Sequence, residues 1–275
     1  MRADTMKKVV LVTGASSGIG KETAILLARK GYIVYAAARR IERMEELKKE
    51  GIHLLEMDVT VDASMTAGME QLLAAEGRID GLINNAGYGS YGALEDVPLS
   101  EARYQFDVNI FGMARLIQLA LPAMRKQGNG RIINISSIAG RIGQPHGSWY
   151  HASKFAVEGL SDSLRMEVKQ FGIDVVIIRP GAIVTEWNTI TREHLLQVSG
   201  NSAYRAYVLK HLKMMESADK HGSPPAVVAK TIVRAMQSSH PRTRYATGGG
   251  ARLILFLHGI LSDRMSDKLM TVVIR

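Results

Sequence analysis

The chain has 275 residues, of which 46% are hydrophobic, and it contains no cysteine. That apolar content buries a sizeable core and excludes disorder as the main state. The missing thiol excludes a disulfide framework, a thiolate nucleophile and any Cys-ligated zinc or iron–sulfur site. The formal charge of +9 is uneven: residues 1–185 carry 22 Lys/Arg and 20 Asp/Glu, a net of +2, and residues 186–275 carry 13 and 6, a net of +7. A basic last third suits an acidic ligand, a membrane surface or nucleic acid, and equally a solvated surface. The start, Met1-Arg2-Ala3-Asp4-Thr5-Met6-Lys7-Lys8, shows no cleavable signal pattern. No run of about 18 apolar residues is present, so a soluble, cytoplasmic protein is expected.

In chain order, residues 8–12 are a short apolar run, and 21–30 have helical spacing through Ala24, Leu27 and Ala28. Residues 32–38 are apolar again, and 43–50 are charged and helical. A third strand is expected at 52–57 and a helix at 63–75. Further strands are expected at 81–84, 131–136, 173–178 and 244–247, separated by long helical stretches. Near-continuous Val/Ile/Leu strands are buried on both faces, as in parallel sheets. Strict β/α alternation places helices on both sides of one such sheet. The expected fold is α/β: a doubly wound, Rossmann-type parallel sheet of about seven strands, in a single domain over residues 1–275.

The first strand runs into Thr13-Gly14-Ala15-Ser16-Ser17-Gly18-Ile19-Gly20 and then a helix. Glycines at this spacing let backbone N–H groups approach a pyrophosphate, and the helix N-terminus adds partial positive charge. The second strand ends Ala36-Ala37-Ala38 and is followed at once by Arg39-Arg40, with no carboxylate at the strand end. An acid there would bond a ribose 2′-hydroxyl. Two guanidiniums suit a 2′-phosphate instead, so NADP(H) is expected over NAD(H), with Arg39 the better candidate.

Tyr150-His151-Ala152-Ser153-Lys154 opens a helical stretch, placing Tyr150 and Lys154 one turn apart on one face. A phenol titrates near 10 unperturbed, and a nearby ammonium is expected to lower it toward the working pH. The preceding strand ends Asn134-Ile135-Ser136-Ser137, bringing a hydroxyl to the carboxyl edge of the sheet, where open α/β sheets bind ligands. Ser136 alternates to the opposite side of that strand, and His151 points to another helix face than Tyr150. Asn84 reads as a structural residue bonding backbone between strands, and His194, His211 and His221 are too scattered to argue a metal site.

Over residues 6–250 the chain resembles the short-chain dehydrogenase/reductase family in its compact form. The resemblance is carried in order by the turn from Thr13 to Gly20, Asp58-Val59, Asn84-Asn85-Ala86-Gly87, Asn109, Ser137, Tyr150-x-x-x-Lys154 and Arg179-Pro180-Gly181. It implies a catalytic set of Asn109, Ser137, Tyr150 and Lys154. Tyr150 would be the acid in carbonyl reduction and Ser137 would hold the substrate oxygen. Lys154 would lower the phenol and bond the nicotinamide ribose, and Asn109 would help hold a relay water. Cofactor contacts are implied at Gly14, Ser16, Ser17, Gly18, Ile19, Gly20, Asp58, Val59, Asn85, Ala86, Gly87, Pro180, Gly181, Ile183 and Thr185, with Asp58 on the adenine amino group.

The resemblance implies that residues 186–223 form a lid over the substrate; they hold Trp187, Leu195, Leu196, Tyr204, Tyr207, Leu209, Met214 and Met215, a content that makes a largely apolar cleft. Lys210 and Lys213 suit an acidic substrate group or a solvated lid face. The nearest resemblance is to the 17β-hydroxysteroid dehydrogenase-like and retinol dehydrogenase-like branch. It implies a bulky apolar alcohol or ketone (steroid, retinoid or long-chain carbonyl) and a homodimer or homotetramer. In residues 251–265, Leu253, Phe256, Leu257, Ile260 and Leu261 form a helical apolar stripe for the core, a partner subunit or, with Arg252, Arg264 and Lys268, a membrane surface. The rival readings are a non-catalytic NADP-binding regulator and a membrane-surface-binding module. No nucleic-acid partner is expected, since no element interleaves basic and aromatic residues.

Overall fold

The structure is a computed structural model that describes residues 7–274; the expectation about residues 1–6 lies outside them. Among the described residues, seven strands form one sheet: β1 (Val9–Thr13), β2 (Ile33–Ala38), β3 (His53–Glu56), β4 (Gly81–Asn84), β5 (Gly130–Ile135), β6 (Ile173–Pro180) and β7 (Arg244–Thr247). Their order is β3-β2-β1-β4-β5-β6-β7 and every neighbouring pair is parallel. The helices are α1 (Gly18–Arg29), α2 (Asp62–Glu76), α3 (Leu99–Phe106), α4 (Gly112–Gln127), α5 (Ser148–Val168), α6 (Glu186–Ser199), α7 (Arg205–Lys220), α8 (Pro225–Gln237), α9 (Ala251–Ile260) and α10 (Asp263–Ile274). Most strand and helix expectations hold to within a few residues, but the single helical stripe expected over 251–265 is broken: α9 ends at Ile260, Leu261 is extended, and α10 begins at Asp263. The segment expected as a helix at 43–50 is instead a run of 3-10 turns, Ile41–Glu50. Its two buried anchors, Met44 and Leu47, are three apart, which is the repeat of that tighter helix.

Alternation along the strands divides the core in two. Val9 and Leu11 of β1 join Met69 of α2, Leu116 of α4 and Val157 of α5 on one face. Val10 and Val12 join Leu27 of α1 and Ile232 of α8 on the other. The chain winds outward from β1 to β3, then crosses back to β4 on the far side of β1. Loops leaving β1 and β4 therefore diverge and open a crevice at the carboxyl rim, the place where such sheets take ligands. On the opposite flank, Glu158 of α5 receives two bonds from Arg179 of β6 (2.8 and 2.7 Å) and one from Arg244 of β7 (3.1 Å). These pairs hold α5 at a set height over the rim. Among the described residues no helix is long and apolar enough to cross a membrane.

Candidate active site

The glycine-rich turn is tied to the end of β4 by two side chains. The Thr13 hydroxyl accepts from the backbone N–H of Asn85 and Ala86 at 3.1 and 3.0 Å. The Asn85 amide returns bonds to the carbonyls of Thr13 and Gly14 at 3.0 and 3.2 Å. Gly14 has φ +64°, and a Cβ on Gly20 would stand 2.3 Å from the Gly14 carbonyl oxygen. Larger residues would therefore push the turn away from the helix. Ser17 precedes α1 in extended conformation, and neither a side-chain cap nor an acidic residue occupies the first turn. The leading N–H groups of α1, alongside the half-exposed Ser16, Ser17, Gly18 and Ile19, form an end receptive to an anion. Thr185 reaches this end from across the crevice, its methyl carbon 3.3 Å from the position of a Cβ on Gly18.

Arg39 and Arg40 leave the end of β2 exposed to solvent. Arg39 donates to the Tyr104 hydroxyl of α3 at 2.8 Å. Arg43, which sequence reasoning missed, donates to both carboxylate oxygens of Glu186 at 2.8 Å. That hydrogen bond holds the Glu186 carboxyl below the usual range, with the charges of Arg43, Arg40 and Lys21 adding to it. The third arginine of the 39–43 stretch was the available signal. Asp58 spends one oxygen on the N–H and hydroxyl of Thr60, at 2.9 and 2.7 Å. The Val59 carbonyl abuts Gly112 at the start of α4. Asn84 differs from expectation: it donates to the Asn134 side chain at 2.8 Å, not to backbone, because the two are register partners across β4 and β5.

Ser137, Tyr150 and Lys154 meet at the carboxyl rim. Ser137 follows β5 and caps the 3-10 turn Ile138–Gly140, accepting from the Ala139 N–H at 3.1 Å. That turn is pinned by His151, whose Nδ1 lies 2.5 Å from the Ile142 carbonyl and 3.1 Å from that of Ala139. The Lys154 ammonium donates to the Ile135 carbonyl at 2.9 Å and sits 5.8 Å from the Tyr150 ring centroid. Burial pushes the Tyr150 phenol up to about 12, with the Ser137 hydrogen bond pulling the other way. Burial also lowers Lys154 to about 8, against the nearby charge of Glu158. The expected lowering of the phenol by the ammonium is not what the structure gives: burial raises the phenol, the Ser137 hydrogen bond opposes it, and the lysine is engaged by the Ile135 carbonyl. Asn109 lies in a π-helical turn, Asp107–Phe111. Its amide is committed to the Tyr88 N–H and carbonyl, both at 2.8 Å, and to the Ser153 hydroxyl at 3.0 Å. Gly87 stands beside both groups: a Cβ there would lie 3.6 Å from Asn109 Oδ1 and 3.9 Å from Lys154 Nζ.

Helices α6 and α7 roof this centre. The Trp187 ring of α6 lies 5.3 Å from Tyr150, and Tyr91 lies 5.6 Å from Tyr150 and 6.1 Å from Trp187, centroid to centroid. Leu195 and Val208 complete the apolar cluster, while Leu196, Leu209, Lys210 and Lys213 face solvent. Pro180 and Gly181 end β6 against the loop after β7, and Ile183 is buried with its carbonyl taking a bond from Asn188. A buried histidine pair, unforeseen from sequence, ties the roof to the loop before α5: His146 Nδ1 lies 2.9 Å from His211 Nδ1. His146 adopts φ 60°, a costly conformation for a side-chain-bearing residue.

The model of the short chain dehydrogenase family matches residues 8–195. A 3-ketodihydrosphingosine reductase from Bacteroides thetaiotaomicron is 38% identical, covering 88% of this chain and 88% of its own length. Retinol dehydrogenase 8 of Homo sapiens is 33% identical over 87% of this chain and 81% of its own. The crystal structure of a short-chain dehydrogenase from Streptomyces avermitilis superposes with a TM-score of 0.81 at 32% identity, covering 96% of each chain. With its parallel sheet, its motifs at the carboxyl rim and these relatives along nearly its whole length, the chain belongs to the short-chain dehydrogenase/reductase family of oxidoreductases.

Proposed function

We propose that this oxidoreductase uses NADP(H) to interconvert a carbonyl and an alcohol on a bulky apolar substrate. The observation that carries the reaction is the meeting of Ser137, Tyr150 and Lys154 beneath an aromatic roof. The turn from Gly14 to Gly20 and the uncapped end of α1 fit a pyrophosphate, and Gly87, Ile183 and Thr185 line the way to the rim. When bound, the nicotinamide supplies or accepts the hydride. A phenol near 12 stays protonated at neutral pH, the state an acid in carbonyl reduction needs. Tyr150 donates that proton to the substrate oxygen, which the Ser137 hydroxyl holds in place. Two oriented donors at an oxygen gaining charge are worth several kcal/mol, about 3 for one of them. Lys154 keeps a positive charge beside the phenol and within reach of a ribose. Asn109 acts as a positioning residue: its amide is spent on Tyr88 and Ser153, so a relay water would have to use its backbone carbonyl.

The NADP(H) preference rests on Arg39, Arg40 and Arg43 gathering where β2 ends without a carboxylate. The substrate class rests on the Tyr91–Trp187 roof, supported by two relatives named a 3-ketodihydrosphingosine reductase and a retinol dehydrogenase. The test is NADPH and NADH oxidation across steroid, retinoid, long-chain and small carbonyls. NADPH-linked turnover of the large apolar members is expected, and Arg39→Ala with Arg40→Ala should weaken NADPH far more than NADH. Turnover confined to small polar ketones, or equal losses for both cofactors, rejects the respective half of the reading.

A further inference from the structure

The last two helices carry apolar side chains outward. On α9, Leu253, Phe256 and Ile260 are 62, 64 and 65% exposed and share one face at i, i+3 and i+7. On α10, Met265, Leu269 and Val272 repeat the pattern at i, i+4 and i+7 and are also exposed. These are not leftovers of a core face, because α9 already packs on β7 and the Ile138–Gly140 turn, and α10 packs on α7. Scattered apolar residues are ordinary on a surface; a helical stripe on two successive helices marks a contact face.

The charge beside the stripe indicates what covers it. An open groove of about 560 Å³ between α8 and α9 is lined by Lys230, Arg234 and Arg252 together with Leu253, and among the described residues no carboxylate lines it. On α10, Arg264 and Lys268 stand one turn apart along one edge of the apolar stripe. We propose that this face docks the protein on a membrane of anionic phospholipid. Leu253, Phe256 and Ile260 enter the boundary between headgroups and acyl chains, and Lys230, Arg234 and Arg252 meet lipid phosphates. A second copy of the chain fits less well, since an isologous contact sets the cationic groove against the same groove with no carboxylate there to answer it. Docking would set the membrane next to the roof of the crevice, because α10 leans on α7. The proposal is independent of the substrate reading, since docking is measured without turnover.

The experiment is co-flotation of the full-length protein with phosphatidylcholine vesicles, alone or containing phosphatidylglycerol. Binding to the phosphatidylglycerol vesicles only, weakened by salt, is expected. Lys230→Gln, Arg234→Gln and Arg252→Gln together should lower partitioning about 100-fold, at roughly tenfold for each one or two lipid-facing cations. Phe256→Asp should lower it about tenfold. Both variants should melt with the parent, since every altered side chain is exposed. Absence of flotation with either vesicle, or flotation indifferent to both variants, overturns the proposal. A dimer in solution that Phe256→Asp converts to monomer, with no vesicle binding, assigns the face to a second copy and overturns it equally.

Discussion

On the β1–β4 side of Tyr150, the glycine-rich turn is stitched to the neighbouring strand end through Thr13 and Asn85, so it moves only if the sheet moves. On the α6–α7 side, closure rests on ring contacts among Tyr91, Tyr150 and Trp187, a histidine pair, and ion pairs such as Arg43–Glu186. The first arrangement uses short-range hydrogen bonds to strand ends and tolerates almost no added volume. The second uses side chains from distant parts of the chain and can separate without disturbing a strand. One fold thus sets a turn anchored by hydrogen bonds to strand ends beside a roof held only by side-chain contacts.

Tyr150 lies at the seam, and its loss should have the largest effect. Tyr150→Phe should lower kcat for carbonyl reduction about 1,000-fold while cofactor affinity, measured by titration of nucleotide fluorescence, stays with the parent. Turnover near the parental rate would mean that another group supplies the proton. On the anchored side, Gly20→Ala should destabilise the fold by about 2 kcal/mol and impair nucleotide binding, since its Cβ meets a carbonyl that cannot retreat. On the roof, Trp187→Ala should instead raise KM for bulky carbonyls and leave nucleotide affinity unchanged. If both substitutions damage the same step, the contrast between the two sides is false.

The histidine pair sharpens the comparison through pH. Burial lowers His211 to about 4, with the charges of His146 and His151 pushing the same way, and burial lowers His146 as well. The unfolded chain takes up these protons near pH 6.5 and the folded chain only further down. Stability from keeping the pair neutral is therefore complete above about 6.5 and is lost as pH falls toward 4. Urea midpoints should decline across that window, and His211→Asn should flatten the decline. An unchanged slope in that variant would place the acid sensitivity elsewhere. The smallest effect is expected at the Arg43–Glu186 pair, where Glu186 is largely exposed. Glu186→Gln should cost less than about 1 kcal/mol in thermal denaturation.

Much of this was legible before any coordinates. The alternating apolar runs, the turn from Gly14 to Gly20 and the Tyr150/Lys154 spacing are local patterns, and local patterns determine strands, turns and shared helix faces by period alone. A doubly wound parallel sheet with a crevice at its carboxyl rim follows from β/α alternation and its handedness, whereas the order β3-β2-β1-β4-β5-β6-β7, one of several such sheets allow, is a property of the folded molecule. Other features depended on which distant side chains come to share low-dielectric space. The Tyr150 phenol rises because Trp187 and Tyr91 close over it, where the adjacent lysine alone argues for a fall. Asn109 is consumed by Tyr88 and Ser153, and Arg43 finds Glu186 across 143 positions of sequence. The tail pattern predicts an amphipathic helix, yet only packing on β7 and α7 decides that Leu253, Phe256 and Ile260 face outward while Leu257 and Leu261 are part-buried. Periodicity is a property of neighbours along the chain; desolvation and pairing belong to neighbours in space, and only the folded molecule brings those together.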